Sequence, residues 1–361
     1  MGSDPRAVGD LFVADPVTVP ANTSRHFRSA AEARAQPTAL LHLAWDVEDP
    51  FLFNGAFDPS LIRHDEAYCT TVRDLSGALQ LPTLEHIDRV RDFVSRPLVV
   101  DIGCGQGEFV QALRTRGIET RGYDPVLRAP APGLYNRYWE PGDDAEAGLF
   151  VTRCVLPHIS GPWKWVEDMG IHHPEALLLI EFQRLSWMVE RGLWYQLAHD
   201  HVNQFTSKDF HERFEVLDEG LFAHDEWAWV LIRPSSYRKV QPRECDVRDD
   251  LARLTLARRL AIDSLRGRRL VLWGAAGKGI TLAHALVQAG IEVSFAVDAD
   301  PARQHKFMEG SGARVLTPEE LLDTVSDQLL VVCNPNHLTQ VQQFVGASVE
   351  AVTLGAAGVT A

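Results

Sequence analysis

The chain has 361 residues, 45% of them hydrophobic, and a net charge of −14. Its length favours two domains, and its hydrophobic content is ordinary for a soluble globular protein. The negative charge argues against nucleic acid as a partner, because binding a phosphate backbone needs a basic surface. Apolar runs stay below the roughly 18 residues of a membrane span, and the first residues lack an export signal. A cytoplasmic protein without a membrane partner is therefore expected.

The cysteines are scattered, odd in number and never in CxxC spacing: Cys69, Cys104, Cys154, Cys245 and Cys333. This pattern argues against a disulfide framework and against a structural zinc site. It is typical of a protein from a reducing compartment, and it predicts no bound metal.

The first part of the chain has weak periodicity. Residues 1–50 are rich in Ala, Pro, Thr and Arg, and residues 40–45 fit either a short strand or a helical turn. Asp58 followed by Pro59 is a good helix start, because the acid can cap and proline suits the first helical position. Apolar residues then recur at helical spacing through Tyr68, and a second helix is predicted over 84–94.

The most informative stretch begins with the apolar run Leu98–Ile102, which predicts a buried parallel strand. The run leads into three alternating glycines, Gly103, Gly105 and Gly107. Glycine allows a tight turn and close approach of a ligand to the backbone, and the helix expected from Phe109 offers free N–H groups. The next predicted strand, 119–123, ends in Asp124, where a doubly wound fold binds ribose hydroxyls.

The spacing Gly-x-Gly-x-Gly, with Asp101 two residues before the first glycine, favours S-adenosylmethionine (SAM) over a dinucleotide. The stretches VDIGCGQG (100–107) and GYDP (122–125) resemble the first motifs of class I SAM-dependent methyltransferases. The resemblance implies that the glycine turn lies against the methionine part of SAM and that Asp124 holds the ribose. A glycine turn without a ligand is the alternative.

Further strands are predicted over 149–154, 176–182 and 225–233, with helices over 163–169 and 207–214, the latter capped by Ser207. Ligands of open parallel sheets bind at the carboxyl edge of the strands. Cofactor contacts are therefore predicted for the residues at that edge: Asp101, Gly103, Cys104, Gly105, Gly107, Tyr123, Asp124, Arg153, Cys154 and His158.

A second α/β unit follows an amphipathic helix predicted over 249–265. Strands are predicted over 269–273, 291–297 and 328–333, with a helix over 318–325. The loop Gly274–Gly279 contains Lys278, and Asp298 ends the second strand of this unit. Such a loop can cradle a phosphate, although its spacing is too short for a Walker A motif. A domain that serves only packing or substrate orientation is the alternative.

The expected fold is thus a doubly wound, Rossmann-like SAM methyltransferase domain followed by a second, smaller Rossmann-like α/β domain. The predicted division is an N-terminal extension (1–50), the methyltransferase domain with its helical lead-in (51–235), a helical linker (236–268) and the C-terminal domain (269–361).

Six further motifs make the resemblance more specific. The chain is similar to the sugar C-methyltransferase-like branch of class I methyltransferases, which has a small Rossmann-like C-terminal domain. The motifs are FDPSLIRHDEAYCTTV (57–72), VLPHI (155–159), AHDHVNQFT (198–206), WGAAGKGITL (273–282), VDADPARQHKFMEG (297–310) and TPEELL (317–322). The chain departs from the branch at Pro157, Ala198 and Asn203-Gln204, and it lacks the CxxC pairs of the branch's zinc module.

Methyl transfer needs positioning of two partners and removal of one proton from the acceptor. Histidine suits proton removal, because its reference pKa of about 6.5 lies near working pH. The resemblance implies that His201 is the base, with Asp200 and His199 orienting it or the acceptor. Tyr68, Tyr195 and Asn203 are predicted on the acceptor side, and the resemblance places Tyr68 on a helix that covers the cofactor. Structural packing is the alternative for each of these side chains.

The expected activity is SAM-dependent methylation of a small molecule, a natural-product intermediate or a nucleotide-linked sugar, with S-adenosylhomocysteine as the second product. The oligomeric state is left open, a homodimer included. Two alternatives stay open: a SAM-binding protein that acts as a non-catalytic partner, and an oxidoreductase that uses one glycine loop for NAD(P).

Overall fold

The computed structural model describes residues 14–63, 67, 80–324 and 327–360. Two predicted features, Tyr68 and Cys69, lie outside the described residues. Within the described part, no helix is both long enough and apolar enough to cross a membrane. The same part shows no group of three or more His, Cys, Asp or Glu side chains that could hold a metal ion.

The N-terminal segment forms short strands and one helix: β1 (Val17–Pro20), β2 (His26–Phe27), α1 (Ala30–Arg34), β3 (Thr38–Leu41), β4 (Leu43–Asp46) and β5 (Phe51–Asn54). The ambiguous run 40–45 therefore belongs to strands β3 and β4. Asp58 does cap a turn by accepting a hydrogen bond from the Ser60 N–H at 2.9 Å. That turn is a single 3₁₀ turn, Pro59–Leu61, rather than the start of a regular helix, since Ile62 is already extended.

The first large sheet is built from the middle of the chain. Its helices and strands, with the short β11 beside them, are α2 (Gln80–Val90), β6 (Leu98–Ile102), α3 (Glu108–Thr115), β7 (Thr120–Tyr123), β8 (Leu134–Tyr135), β9 (Ala147–Arg153), α4 (Pro162–His172), β10 (Leu177–Gln183), α5 (Leu185–Arg191), β11 (Asn203–Gln204), α6 (Ser207–Arg213), β12 (Glu215–Phe222) and β13 (Trp227–Arg233). The cap of α6 is Thr206 and not Ser207, because Asp209 accepts hydrogen bonds from the Thr206 N–H and hydroxyl.

The sheet has the order β12-β13-β10-β9-β6-β7-β8. Strands β8, β7, β6, β9 and β10 are parallel, whereas β13 runs antiparallel to both of its neighbours. The chain moves from one side of β6 to the other between β8 and β9. Ligands of doubly wound folds bind at such a switch point, outside the carboxyl ends of the central strands. Here those ends are Ile102 and Arg153.

Two apolar layers cover the faces of this sheet. One contains Trp163, Phe182 and Phe210, and the other contains Val99, Phe109 and Leu113. Because side chains alternate between the faces of a strand, Asp101 lies on the face of Val99, towards α2 and α3.

The C-terminal part of the chain forms a second α/β unit, which contains the second large sheet. Its elements are α7 (Arg248–Leu265), β14 (Leu270–Trp273), α8 (Lys278–Gln288), β15 (Val293–Val297), β16 (Phe307–Met308), β17 (Val315–Leu316), α9 (Pro318–Thr324), β18 (Leu329–Val332), α10 (Leu338–Val345), β19 (Ala351–Gly355) and β20 (Gly358–Thr360). The strands of the second large sheet have the order β17-β15-β14-β18-β19-β20, and all of them are parallel except β20. The expected second doubly wound unit is confirmed.

The N-terminal segment packs on both units. Strand β2 pairs with β16 of the C-terminal part in a separate two-stranded sheet, and β5 pairs with β11 beside the first large sheet. One apolar core joins Trp187 and Tyr195 to Ala275 and Ile280 across the two units. The boundaries at residues 50, 235 and 268 stay predictions.

Candidate functional site

The glycine loop connects β6 to α3 through a backbone that only glycine adopts easily. Gly103, Gly105 and Gly107 all have left-handed φ angles of 78°, 60° and 91°. The N–H groups of Gly103 and Cys104 both donate to the carbonyl of Tyr123, at 2.7 and 3.1 Å. Cys104 and Tyr123 therefore shape the loop through their backbones, while both side chains are buried.

The three glycines serve different purposes. A Cβ at Gly103 would lie 2.2 Å from Val155, and a Cβ at Gly107 would lie 2.7 Å from Leu134. At Gly105 a Cβ would meet no atom within 4 Å. Gly103 and Gly107 thus allow close packing, whereas Gly105 borders open space into which a ligand can approach the backbone.

Asp124 closes this loop from the tip of β7. One carboxylate oxygen accepts the N–H of Gly105 at 2.8 Å, and the other accepts the N–H of Val126 at 2.8 Å. The predicted ribose-binding acid is therefore fixed beside the open position at Gly105.

Asp101 is the least satisfied polar group of the site. Its side chain is 1% exposed, and neither carboxylate oxygen has a hydrogen-bond partner among the described residues. Burial is the main cause that raises the pKa of Asp101 to about 6; Asp124 and Glu181 act in the same direction, and Arg153 opposes them. Buried polar groups normally have partners, so this carboxylate indicates a site for a cationic or hydrogen-bond-donating ligand.

Arg153 ends the neighbouring strand β9. Its guanidinium lies 4.2 Å from the centroid of the Phe109 ring, and its Nη1 has no hydrogen bond within the described part of the chain. Cys154 follows with a left-handed φ of 60° and donates its N–H to the carbonyl of Glu181. Burial raises the pKa of the Cys154 thiol, so this residue shapes the end of β9 rather than acting as a thiolate.

Two residues of this site were missed by the sequence analysis. Glu181 is buried on β10, in register with Arg153, and its carboxylate lies 3.3 Å from Nδ1 of His86 on α2. The His86 ring stacks on Trp229 with centroids 4.6 Å apart. A charged residue inside the apolar strand sequence LLLIEF was the available signal for Glu181. Nothing local marks His86, because only the fold brings α2 over the sheet.

The predicted acceptor side contains a pair of histidines. His158 is exposed, and its Nδ1 lies 2.6 Å from the carbonyl of Asp200. Since a carbonyl only accepts, Nδ1 carries the proton and Nε2 is left as an acceptor. The ring of His201 lies edge-on to that of His158, with centroids 4.8 Å apart.

His201 is partly buried and, among the described residues, makes no side-chain hydrogen bond. Burial and the neighbouring His158 lower its pKa to about 4, and Asp200 opposes them. The imidazole is therefore uncharged at neutral pH, well below the pKa of about 6.5 that the residue type alone suggests.

His199, in contrast, is fully buried with both ring nitrogens engaged. Its Nδ1 donates to the carbonyl of Leu40 at 2.9 Å, and its Nε2 accepts the N–H of Asp58 at 3.2 Å. This arrangement favours the structural role for His199. Asp200 is also buried, with the Thr23 hydroxyl 3.5 Å from each of its carboxylate oxygens.

The other predicted acceptor residues hold the framework. The Asn203 amide donates to the carbonyls of Leu156 and Ile159, at 3.1 and 2.8 Å, and so fixes the turn that carries His158. The Tyr195 hydroxyl donates to the carbonyl of Cys333 at 3.1 Å, in the contact with the second unit.

Two family models match the chain. One, described as a methyltransferase domain, covers residues 68–218, and the other, described as a C-methyltransferase C-terminal domain, covers residues 212–347. Together with the fold and the glycine loop, these matches support a class I SAM-dependent methyltransferase with a C-terminal domain of the C-methyltransferase type.

Solved structures that the chain matches include an O-methyltransferase family protein from Burkholderia thailandensis, with 13% identity, a TM-score of 0.32 and alignment over 46% of this chain and 57% of that protein. A second is the N,N-8-amino-8-demethyl-D-riboflavin dimethyltransferase from Streptomyces davawensis, with 17% identity, a TM-score of 0.31 and alignment over 42% and 56%. The chain therefore matches just over half the length of each. No curated protein gives a sequence match.

Proposed function

We propose that this protein transfers a methyl group from SAM to a small-molecule acceptor, with His201 as the group that receives the acceptor's proton. The observation that carries the proposal is the buried Asp101, whose carboxylate has no hydrogen-bond partner among the described residues, near the open position at Gly105. SAM supplies a methyl group that is already activated on a sulfonium sulfur. The protein then has to bind, orient and remove a proton.

The residues present fit SAM. Asp101 and Arg153 lie at the ends of adjacent strands and offer one negative and one positive group. Both have polar atoms without a partner in the part of the chain that the structure describes, and together they match the ammonium and carboxylate of an amino acid. Gly105 leaves room against the backbone, and Asp124 offers carboxylate oxygens for ribose hydroxyls.

His201 is suited to a limited task as a base. Its low pKa keeps the imidazole unprotonated and ready to accept a proton at neutral pH. The same low pKa makes it a weak base, so it matches an acceptor whose proton is already acidic or leaves together with methyl transfer. The resemblance to the sugar C-methyltransferase-like branch supports a nucleotide-linked sugar or a natural-product intermediate as the acceptor. Pro157 and Ala198, where the chain departs from that branch, reshape the acceptor side.

The test combines calorimetric titration of the intact protein with SAM and mass-spectrometric detection of methylated products from a panel of acceptors. Stoichiometric SAM binding with turnover of one acceptor class supports the proposal. SAM binding without any turnover favours the non-catalytic partner, the alternative suggested by Pro157 and Ala198. Absence of SAM binding contradicts both.

Asp124→Ala is expected to weaken SAM binding by about 1–3 kcal/mol, the scale for hydrogen bonds to a charged group. The variant also loses the acceptor for the Gly105 N–H, so the loop loses its fixed position. Asp124→Asn, which keeps one acceptor oxygen, should lose less. Calorimetry on the three proteins checks this order, and equal SAM affinity in all of them would contradict the assigned role.

Asp101→Asn is expected to stabilise the ligand-free protein while weakening SAM binding about 10- to 100-fold. The folded-state pKa of Asp101 is about 6, above the reference value of 3.8. The folded state therefore binds more protons between these values, and the free energy of unfolding falls as pH rises through that window. Above pH 6 the full penalty is present, up to about 3 kcal/mol for two pKa units.

Urea unfolding at several pH values checks this expectation. The stability gain of Asp101→Asn should be largest above pH 6 and shrink towards pH 4. The exposed Asp92→Asn is the matched control and should change the free energy of unfolding by less than about 0.5 kcal/mol. A loss of stability in Asp101→Asn at pH 7.5 would show that the carboxylate is satisfied in the folded protein.

A further inference from the structure

The second sheet repeats the geometry of a nucleotide site. Its glycine loop follows β14, lies next to the end of β18 and precedes α8. This is the switch point of an open α/β sheet, where loop N–H groups and a helix N-terminus usually bind phosphate. In this chain, groups of the protein itself occupy those positions.

Two backbone donors of the loop are already paired. The Gly277 N–H donates to the carbonyl of Thr23 at 2.7 Å, and the Ala275 N–H donates to the carboxylate of Asp298 at 2.8 Å. Asp298 corresponds to Asp124 of the first sheet, which binds its own glycine loop at the same distance. Asp298 also forms an ion pair with Arg303 at 3.2 Å.

The lysine of this loop, Lys278, contacts a carboxylate of the protein itself, Glu226. Its side chain is buried and comes from the turn between β12 and β13 of the methyltransferase sheet. One oxygen accepts from the Lys278 ammonium and from the Gln183 amide at 3.1 Å. The other accepts from the amides of Asn334 and Asn336, both at 3.1 Å. Three of these four donors belong to the second unit.

The turn that presents Glu226 is conformationally costly. Ala223, His224 and Asp225 have consecutive left-handed φ angles of 50°, 58° and 63°, without a glycine among them. Such conformations persist only where surrounding contacts enforce them. Here Arg184 enforces the turn, since its N–H donates to the carbonyl of Glu226 and its guanidinium to that of Asp225.

We propose that the glycine loop of the C-terminal domain is an intramolecular docking site, in which Glu226 takes the place of a phosphate and latches the two units together through Lys278. The C-terminal family match, residues 212–347, contains both the turn and the loop. We call the Glu226–Lys278 contact the latch. Gln183, which also donates to Glu226, lies on β10 two residues beyond Glu181 of the candidate site. The loop therefore does not bind a nucleotide, which also argues against NAD(P) at this position.

The experiment compares thermal unfolding of the intact protein with the variants Glu226→Ala, Lys278→Met and the double variant, with and without inorganic phosphate. Each single variant leaves a buried charge without its partner, so the midpoint should fall by about 5 °C or more. The unfolding midpoint of the double variant should fall by less than the sum of the decreases in the two single variants. Phosphate should raise the midpoint of Glu226→Ala by several degrees more than that of the wild type, and Lys278→Met should abolish this rescue.

The controls separate the latch from ordinary surface electrostatics. Lys164 and Asp168 form an exposed ion pair on α4, and Lys164→Met should leave the midpoint within about 1 °C. If Glu226→Ala does not fold, Glu226→Gln removes the charge while keeping one acceptor oxygen for the amides of Asn334 and Asn336.

Two results would overturn the proposal. One is calorimetric binding of ADP or pyrophosphate to the wild type that Lys278→Met removes, which would make the loop a ligand site. The other is a Glu226 variant with an unchanged midpoint and no response to phosphate. Neither result depends on SAM binding or on turnover, so the proposal and the methyltransferase function can fail separately.

Discussion

Gly105→Val is expected to lower SAM affinity at least 100-fold. The position borders open space, since a Cβ there meets no atom within 4 Å. A valine side chain would enter the volume in which SAM must approach the backbone, and the branched residue resists the left-handed φ of 60°. Calorimetric titration with SAM, supported by the shift in unfolding temperature on adding SAM, measures the loss.

Gly117→Val is the matched control for this variant. Gly117 has a left-handed φ of 75°, and a Cβ there also meets no atom within 4 Å. It lies after the other end of α3, away from the glycine loop. Both variants carry a backbone cost of about 1–2 kcal/mol, so their stabilities should fall similarly. Only Gly105→Val should lose SAM binding. Equal SAM affinity in both variants would contradict a cofactor at Gly105.

The central strand and loop could be predicted because their signals are local. The run Leu98–Ile102 forms β6 with the predicted bounds, and the alternating glycines have the expected left-handed backbone. Five apolar residues bounded by a turn leave few alternatives to a buried strand. The second doubly wound unit was predictable for the same reason, since strand, glycine loop and helix recur around Gly274–Gly279.

The packing of the units could not be predicted, since it depends on contacts between residues far apart in the sequence. The edge strand β12 was missed because its outer face is polar and its apolar alternation is weak. Glu226 has no sequence signal, as its four donors come from Gln183 and from the distant Lys278, Asn334 and Asn336. The N-terminal segment likewise finds its partners only in three dimensions.

The candidate site was predictable in part. The sequence resemblance assigned the base to His201 and an orienting role to His199, but it could not show which of the two is held by buried hydrogen bonds. The structure separates them, because His199 bonds to Leu40 and Asp58 whereas His201 faces His158. Buried hydrogen bonding distinguishes a framework residue from a residue available for chemistry, and the sequence does not encode it locally.

His201→Ala is expected to lower turnover about 10²- to 10⁴-fold while leaving SAM affinity unchanged. The side chain makes no hydrogen bond within the described part of the chain, and the proposed cofactor residues Gly105 and Asp124 lie on other loops. The unfolding temperature should therefore change little. Steady-state kinetics with an acceptor that the wild type methylates measure turnover, and calorimetry measures SAM affinity.

The pH dependence of kcat/KM makes the role of His201 more specific. With a pKa of about 4, His201 is unprotonated above pH 5. The limb that His201 gives to the pH profile of kcat/KM therefore lies near pH 4, and its contribution to kcat/KM is constant between pH 6 and 8. Asp101, with a pKa of about 6, should add a limb near pH 6 at subsaturating SAM. That limb should persist in His201→Ala, because it reports cofactor binding.

His199→Ala supplies the contrast that decides between the two histidines. It removes the hydrogen bonds to the Leu40 carbonyl and the Asp58 N–H, so it should cost about 1–3 kcal/mol of stability. The folded fraction should keep turnover within about tenfold of the wild type, since His199 has no free nitrogen to offer the acceptor. A His201→Ala enzyme that retains more than about a tenth of wild-type turnover would exclude His201 as the base. Catalysis would then depend on the proximity of the two bound partners and on the acidity of the acceptor itself.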